Sequence, residues 1–131
     1  MRGGESNKFG IMIEIKRAYE PVKAGSSHRF LVDQLWPRGV KKEALQLGGW
    51  VRAVAPSKKL RSWFGHDPAK WKEFQRRYAT ELDAKPETLQ PLLNAARKGD
   101  ITLVFGARDV EHNNAVVLRD YLMGKLPKKR K

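Results

Sequence analysis

Short apolar runs at three places along the chain predict the strands of a buried sheet. Residues 11–15 alternate partly between apolar and polar side chains, residues 30–32 are continuously apolar, and residues 101–105 form the clearest run. Continuous apolar runs of this length are typical of strands that are covered on both faces, as in parallel sheets. The second run leads into Pro37-Arg38-Gly39, where a ladder of backbone hydrogen bonds cannot continue.

Helical patterns fill the space between the second and third runs. A short helix is predicted at 42–47, before Gly48-Gly49, and another at 58–64, with Ser57 as its N-cap and Gly65 after its end. Asp67-Pro68 predicts the start of the next helix. One face of that helix is expected to be buried because apolar side chains recur there at spacings of three and four, namely Trp71, Phe74, Tyr78 and Leu82.

Glycine and proline set the limits of the remaining elements. Pro91 is acceptable only in the first turn of a helix, so we expect Thr88 to cap that helix and Gly99 to follow it. Asp109 is expected to cap a last helix at 111–123, which Gly124 would end. Residues 18–29 carry turn signals and are predicted to be a loop.

This alternation of strands and helices predicts an α/β fold. We expect a small single domain in which a largely parallel sheet of three or more strands is flanked by helices. A chain of 131 residues with 40% hydrophobic residues can bury its own core. The predicted divisions are a flexible N-terminal arm at 1–10, the domain at 11–124 and a basic C-terminal tail at 125–131.

Composition removes several classes of function. The chain has no cysteine, which excludes thiol catalysis, disulfides and thiolate metal sites. No run approaches the roughly 18–20 apolar residues of a membrane span, and no signal-peptide core is present, so we expect a cytoplasmic protein without membrane contact. His28, His66 and His112 lack the spacing of paired metal ligands, so neither a metal site nor a cofactor is predicted.

The net charge of +13 points to partners that carry phosphate. Five positive charges lie in residues 125–131, which leaves +8 on the rest of the chain. Such a surface attracts anions in a salt-dependent way. Nucleic acid is therefore one possible partner, although a basic surface also occurs on soluble proteins without one, and the tail could be a solvated charge run.

Two similar stretches, 32–39 and 61–68, suggest a polar site, since each combines Trp, Pro, Gly, an acid and an Arg. Asp33 follows a buried strand, where ligands of open α/β sheets bind, or it could anchor the loop by accepting backbone hydrogen bonds. The guanidinium of Arg38 suits phosphate or carboxylate, or could pair with a nearby Asp. His66 could transfer a proton near neutral pH or fix its turn. Arg61 could reach the same pocket or lie on the surface.

The end of the third strand repeats this arrangement with Arg108 and Asp109. Backbone N–H groups at a helix start favour an anion, although Asp109 could simply cap the helix and His112 could face solvent. We therefore predict a pocket at the strand ends that binds a small anionic ligand. Arg38, Arg61, Arg108 and His112 are its ligand-binding candidates. His66, Asp33 and Asp109 are its catalytic candidates, should it be a hydrolase or transferase. A nucleic-acid-associated protein is the alternative, without a recognisable binding module.

Three motifs resemble a known family. The runs 31–39, 60–68 with Trp71, Phe74 and Arg77-Tyr78, and 102–115 are similar to the YeaO-like proteins, a bacterial and archaeal family of unknown function. The resemblance covers residues 11–122 and implies a small α/β fold with a largely parallel sheet, but no activity. The chain departs from the family's pattern at Gln34, where Arg is usual, and at Gly48-Gly49. Longer relatives carry cysteines near the last strand and the last helix, and this chain has Gly106 and Asn113 in that neighbourhood, so thiol chemistry does not carry over.

Overall fold

A five-stranded sheet orders the molecule. The computed structural model describes residues 11–23 and 28–126, and the backbone of residues 4–6. The sheet order is β1-β2-β5-β3-β4, formed by β1 (Gly4–Ser6), β2 (Met12–Arg17), β3 (His28–Leu31), β4 (Gly49–Trp50) and β5 (Ile101–Phe105). Strands β2, β5, β3 and β4 pair in parallel, and β1 joins β2 in antiparallel orientation. The predicted α/β class with a largely parallel sheet is confirmed.

Helices connect these strands. Within the described residues they are α1 (Lys42–Leu45), α2 (Lys58–Phe64), α3 (Trp71–Asp83), α4 (Gln90–Lys98) and α5 (Asn114–Lys125). Single 3₁₀ turns occur at Arg52–Val54, Pro68–Lys70 and Pro86–Leu89. None of the helices in this part of the chain is long and apolar enough to cross a membrane.

The start and end of α2 follow the predicted signals. The Ser57 Oγ accepts a hydrogen bond from the backbone N–H of Leu60 at 3.1 Å, which satisfies one of the N–H groups that a helix start leaves unpaired. Gly65 ends the helix in the left-handed region with φ of 54°. Asp67 then accepts a hydrogen bond from the N–H of Ala69 at 3.0 Å and begins the turn that leads into α3.

The N-terminal half of the chain contains more strand than the sequence predicts. Gly4–Ser6, predicted as part of a loose arm, pairs with β2, whose edge offers unpaired backbone groups. Residues 1–3 and 7–10 of that arm lie outside the described residues. His28 and Arg29, predicted as loop, pair with Ile101 and Thr102 of β5. Gly49, predicted to interrupt a helical region together with Gly48, pairs in parallel with β3, and so does Trp50.

The predicted limits of the last two helices are partly wrong. Helix α5 starts at Asn114 and not at 111, because the Asn113 side chain caps it by accepting from the N–H of Val116 at 3.1 Å. Gly124 does not end α5, which continues to Lys125, the first residue of the predicted tail. Residues 127–131 of that tail lie outside the described residues. Pro91 lies in the first turn of α4, but Thr88 is not the cap, since its hydroxyl donates to the carbonyl of Lys85.

Side chains that alternate along the strands form two cores, one on each face of the sheet. Phe30 and Leu103 belong to the larger core, which helices α2 to α5 cover. Leu31 and Val104 belong to a smaller core on the opposite face, where Leu45 of α1 covers them. Because neighbouring residues of a strand point to opposite faces, the two cores are separated by the sheet itself.

Candidate functional site

Asp33 connects the ends of two strands and the first turn of a helix. Its Oδ2 accepts a hydrogen bond from the N–H of Gly106 at 2.8 Å, directly after β5. Its Oδ1 accepts from the Asn114 side-chain amide at 3.0 Å. Burial raises the pKa of the Asp33 carboxyl, and the hydrogen bonds from Asn114 and Gly106 oppose that rise only in part. Asp33 therefore has the loop-anchoring role that the sequence left open, at the carboxyl ends of parallel strands.

A cavity of about 450 Å³ lies beside Asp33. We refer to it as the strand-end cavity. Phe64 and Phe74 form an apolar wall, with their ring centroids 4.2 Å apart in a stacked arrangement. The remaining lining residues come from the loop after β3, from helix α2 and its flanking turns, and from the β5–α5 connection, namely Asp33, Gln34, Leu35, Pro56, Arg61, Ser62, His66, Gly106, Ala107, Asn113 and Asn114.

Arg61, which lies in helix α2, places a positively charged side chain at this cavity. The side chain is half-buried, and its Nε donates to the carbonyl of Pro56 at 3.2 Å, which fixes the direction of the guanidinium. Among the residues that the structure describes, neither terminal nitrogen of Arg61 has a hydrogen-bond partner. These nitrogens carry four N–H donors in a planar arrangement that matches a phosphate or carboxylate group.

His66 lies at the cavity in an unusual backbone conformation. It has φ of 58°, immediately after Gly65 with φ of 54°, so two consecutive residues are left-handed. This conformation costs a residue other than glycine on the order of 1–3 kcal/mol, and such residues cluster at functional sites. The ring lies 6.2 Å from that of Phe64, and within the described part of the chain its nitrogens form no hydrogen bond. The turn therefore holds the imidazole at the cavity, with both nitrogens available to a ligand.

Asn113 and Asn114 are site residues that sequence reasoning did not select. Asn113 is buried and caps α5, and its amide nitrogen also donates to the carbonyl of Asp109 at 2.9 Å. Asn114 donates to the carbonyl of Val32 at 3.3 Å as well as to Asp33. Both were hidden by the predicted helix start at 111, which placed them within the helix. Two consecutive Asn residues before an apolar stretch were a signal for a helix cap that the prediction passed over.

The other predicted site residues do not line this cavity. Arg38 and Arg108 are exposed in separate loops, and the carbonyl of Arg38 accepts from the Tyr19 hydroxyl at 2.9 Å. Sequence reasoning expected both side chains to converge with His66 on one cavity, and the structure does not bring them there. Each arginine follows a strand by several residues, and a loop of that length is free to carry its side chain away from the strand end.

Asp109 and His112 form a pair beside the cavity lining. Asp109 Oδ2 lies 2.9 Å from His112 Nδ1, and Asp109 Oδ1 accepts from the N–H groups of Glu111 and His112. These contacts, with the Glu111 N–H first, lower the pKa of Asp109. The His112 ring meets Trp71 edge to face at 5.1 Å. The pair therefore shapes the loop that leads to Asn113. Within the described residues, no group of three or more His, Asp or Glu side chains could hold a metal ion.

Comparisons with known proteins agree on one family. A family model described as the inactive DUF488-N3 subclade matches residues 12–131. The uncharacterised protein YeaO of Escherichia coli is 36% identical over 110 residues, which cover 84% of this chain and 96% of the relative. An uncharacterised protein of Mycobacterium tuberculosis is 35% identical over 113 residues, which cover 86% of this chain and 95% of the relative. No solved structure matches the chain.

Proposed function

The chain belongs to the YeaO-like family, within the inactive DUF488-N3 subclade, and we propose that it binds a small ligand with a phosphate or carboxylate group in the strand-end cavity. The observation that carries this proposal is the presence of Arg61, His66 and Asn114 around one cavity at the carboxyl ends of β3 and β5. Ligands of open α/β sheets bind at this edge, and a cavity of roughly 300–1,000 Å³ is usual for a small molecule.

Arg61 would hold the anionic group. Its Nε is bound to Pro56, so the guanidinium is oriented before a ligand arrives, and less side-chain entropy is lost on binding. The stacked rings of Phe64 and Phe74 offer an apolar surface for the rest of the ligand. An anion with an apolar or aromatic body therefore fits this cavity better than an inorganic ion alone.

Asp33 acts as a positioning residue in this proposal. Both of its oxygens accept hydrogen bonds from the protein, and these bonds hold Gly106 and Asn114 at the cavity wall. A carboxylate near an anionic ligand would repel it, but burial raises the pKa of Asp33 and so favours the neutral form. The bound anion would favour that form further, because it disfavours a second negative charge nearby.

Binding without turnover is the form of the proposal that these residues support best. Among the described residues that line the cavity, His66 provides the only imidazole and Ser62 the only hydroxyl. A hydrolase or transferase reaction would need His66 to move the proton, because Asp33 is already bound to two donors and Asp109 is not part of the lining. The description of the matched subclade as inactive agrees with a binding role.

A thermal-shift screen of phosphorylated metabolites tests this proposal. We expect ligands that raise the melting temperature of the wild-type protein and bind Arg61→Lys about tenfold or more weakly, since Lys keeps the charge but loses the planar fork. Arg108→Lys is the matched control because Arg108 is exposed and does not line the cavity. Equal effects of the two substitutions, or no stabilising ligand at all, would contradict the proposal.

Nucleic-acid binding is the second candidate, and the positive charge supports it. Removal of residues 127–131 takes away four of the 27 Lys and Arg residues without shortening α5. If nucleic acid binds through the tail, this deletion should flatten the salt dependence of oligonucleotide binding by up to several units of slope. A small anion in the strand-end cavity should bind the shortened chain as before, because the tail charges are screened within about 8–10 Å.

A further inference from the structure

A second cavity lies on the other face of the sheet from the strand-end cavity. It has a volume of about 610 Å³, and we refer to it as the tryptophan cleft, formed by Trp36, Lys42, Leu47, Gly48, Gly49 and Trp50 together with Glu43 and Gln46. Trp36, Leu47 and Trp50 pack against the smaller core, whereas Phe64 and Phe74 of the strand-end cavity belong to the larger one. The two cavities are therefore separate sites, which can be tested independently.

The two tryptophan rings of the cleft are held by their own hydrogen bonds. The indole N–H of Trp36 donates to the carbonyl of Val40 at 2.7 Å, and that of Trp50 donates to the carbonyl of Asp33 at 2.7 Å. The ring centroids lie 5.4 Å apart with an interplanar angle of 67°. Because both indole donors are already used, the rings offer a partner only their carbon surfaces. Such rigid rings are suited to stacking on a planar group.

Two consecutive glycines form part of the wall of the cleft. A Cβ added to Gly48 would lie 2.5 Å from Cδ2 of His28, and one added to Gly49 would lie 3.4 Å from Cδ1 of Phe30. A side chain at Gly48 would therefore have to displace the His28 ring. The two glycines therefore allow β4 to pack closely beside β3.

The chain segment that forms the cleft carries an excess of positive charge. Residues 36–52 contain one acidic residue, Glu43. The same segment contains four cationic side chains, all of them exposed, namely Arg38, Lys41, Lys42 and Arg52. The guanidinium carbon of Arg52 lies 4.5 Å from the centroid of the Trp50 ring. This excess of positive charge disfavours a cationic ligand and favours phosphate. Aromatic surfaces beside Lys and Arg are the combination by which proteins bind single-stranded nucleic acids.

We propose that the tryptophan cleft takes an unpaired base of a single-stranded nucleic acid, which stacks on Trp36. Lys42 and Arg52 contact the phosphates that flank this base. The positive charge provides affinity for the sugar-phosphate backbone of the nucleic acid. The tryptophan ring distinguishes a strand that has bases from a strand that has only sugars and phosphates. This inference goes beyond the ligand proposed for the strand-end cavity and does not depend on it.

The test compares two oligonucleotides of equal length and charge by fluorescence anisotropy at low salt. One is a short labelled oligothymidine, and the other is the same chain with abasic sites in place of the bases. We expect the abasic strand to bind the wild-type protein about tenfold more weakly, because base–aromatic stacking contributes to affinity at each occupied ring. In Trp36→Ala this difference should largely disappear. Equal binding of both strands by the wild-type protein would show a delocalised charge effect, and no binding of either would also overturn the proposal.

Two further variants separate stacking from a damaged fold. Trp36→Phe loses the hydrogen bond to Val40 but keeps a ring, so we expect it to retain most of the preference for oligothymidine over the abasic strand. If Trp36→Phe loses the preference as fully as Trp36→Ala, the indole acts on local structure and stacking is contradicted. Lys42→Gln should weaken binding of both strands more than Lys72→Gln, which removes an exposed charge from α3 on the other face. Equal losses would place the binding outside the cleft.

Discussion

The carboxylate of Asp33 accepts a hydrogen bond of 2.8 Å from the backbone N–H of Gly106, which joins the ends of two neighbouring parallel strands. The second oxygen of the same carboxylate binds Asn114 in the first turn of α5. One side chain thereby joins three chain segments at this edge of the sheet. The position of the strand-end cavity follows from these bonds, because all three residues line it.

Replacing Asp33 should therefore destabilise the fold at this edge. Asp33→Ala removes the acceptor of both the Gly106 N–H and the Asn114 amide, and each half-buried donor left unpaired costs about 1–3 kcal/mol. We expect a loss of this order in the free energy of unfolding, measured by urea denaturation at neutral pH.

Asp33→Asn is the matched variant, since its single side-chain oxygen can still accept one of the two hydrogen bonds. Its loss should be smaller than that of Asp33→Ala, because it also removes a carboxyl that burial makes costly to ionise. If Asp33→Ala were as stable as the wild-type protein, the carboxylate would not hold the strand ends together.

The burial of the α3 face leads to a second prediction. Phe74 is 2% exposed and stacks on Phe64, whereas Trp71 is only partly buried at the edge of the core. Phe74→Ala should cost about 3–5 kcal/mol of unfolding free energy, because a cavity remains in a packed core. Trp71→Ala should cost less, since part of its ring is already in water. The same urea experiment compares them, and an equal or larger loss for Trp71→Ala would contradict this account of the core.

Local patterns in the sequence predict much of the fold. Ser57, Gly65 and Asp67-Pro68 act where they were expected, because caps and left-handed turns depend on residues close in sequence. The unpredicted strand pairs, such as Gly49–Trp50 with β3, depend on partners far along the chain. The start of α5 also escaped prediction, because Asp109 and Asn113 both have side chains able to cap and only the three-dimensional path of the loop decides between them.

The candidate site shows the same division between local and distant effects. Asp33, Arg61 and His66 were predicted as site residues, and all three line one cavity. Asp33 follows the end of β3, Arg61 lies within α2, and His66 follows the end of that helix. Arg38 and Arg108 lie within loops, whose direction the sequence pattern does not specify. The predicted cytoplasmic location and the predicted small anionic ligand stay predictions.

The pKa of Asp109 predicts how the β5–α5 loop responds to acid. The pKa of Asp109 is lowered in the folded chain, and the hydrogen bond from the Glu111 N–H is the largest cause. The ionised form of Asp109 therefore stabilises the folded chain. That stabilisation is fully present at a pH above the pKa of an Asp in the unfolded chain, about 3.9. It is lost as the pH falls through the lower pKa that Asp109 has in the folded chain. The difference in melting temperature between the wild-type protein and Asp109→Asn should therefore be largest near neutral pH and shrink below about pH 4.

Asp120→Asn serves as the control for this experiment. It also removes a carboxylate from the surface, where Asp120 Oδ1 accepts a hydrogen bond from Nε of the neighbouring Arg119 at 3.1 Å. We expect a smaller change in melting temperature at neutral pH than for Asp109→Asn. A difference for Asp109→Asn that is constant from neutral pH to pH 3 would contradict the role given to this carboxylate.

The central claim is that an anion with an apolar body binds in the strand-end cavity, and a residue-resolved NMR titration with phenyl phosphate tests it most directly. We predict that amide shifts concentrate at His66, Gly106 and Asn114, and that Arg61→Lys weakens the titration about tenfold or more whereas Arg38→Lys leaves it unchanged. Shifts spread over the exposed lysines of α1 and α3, with the same affinity in Arg61→Lys as in the wild-type protein, would contradict the claim.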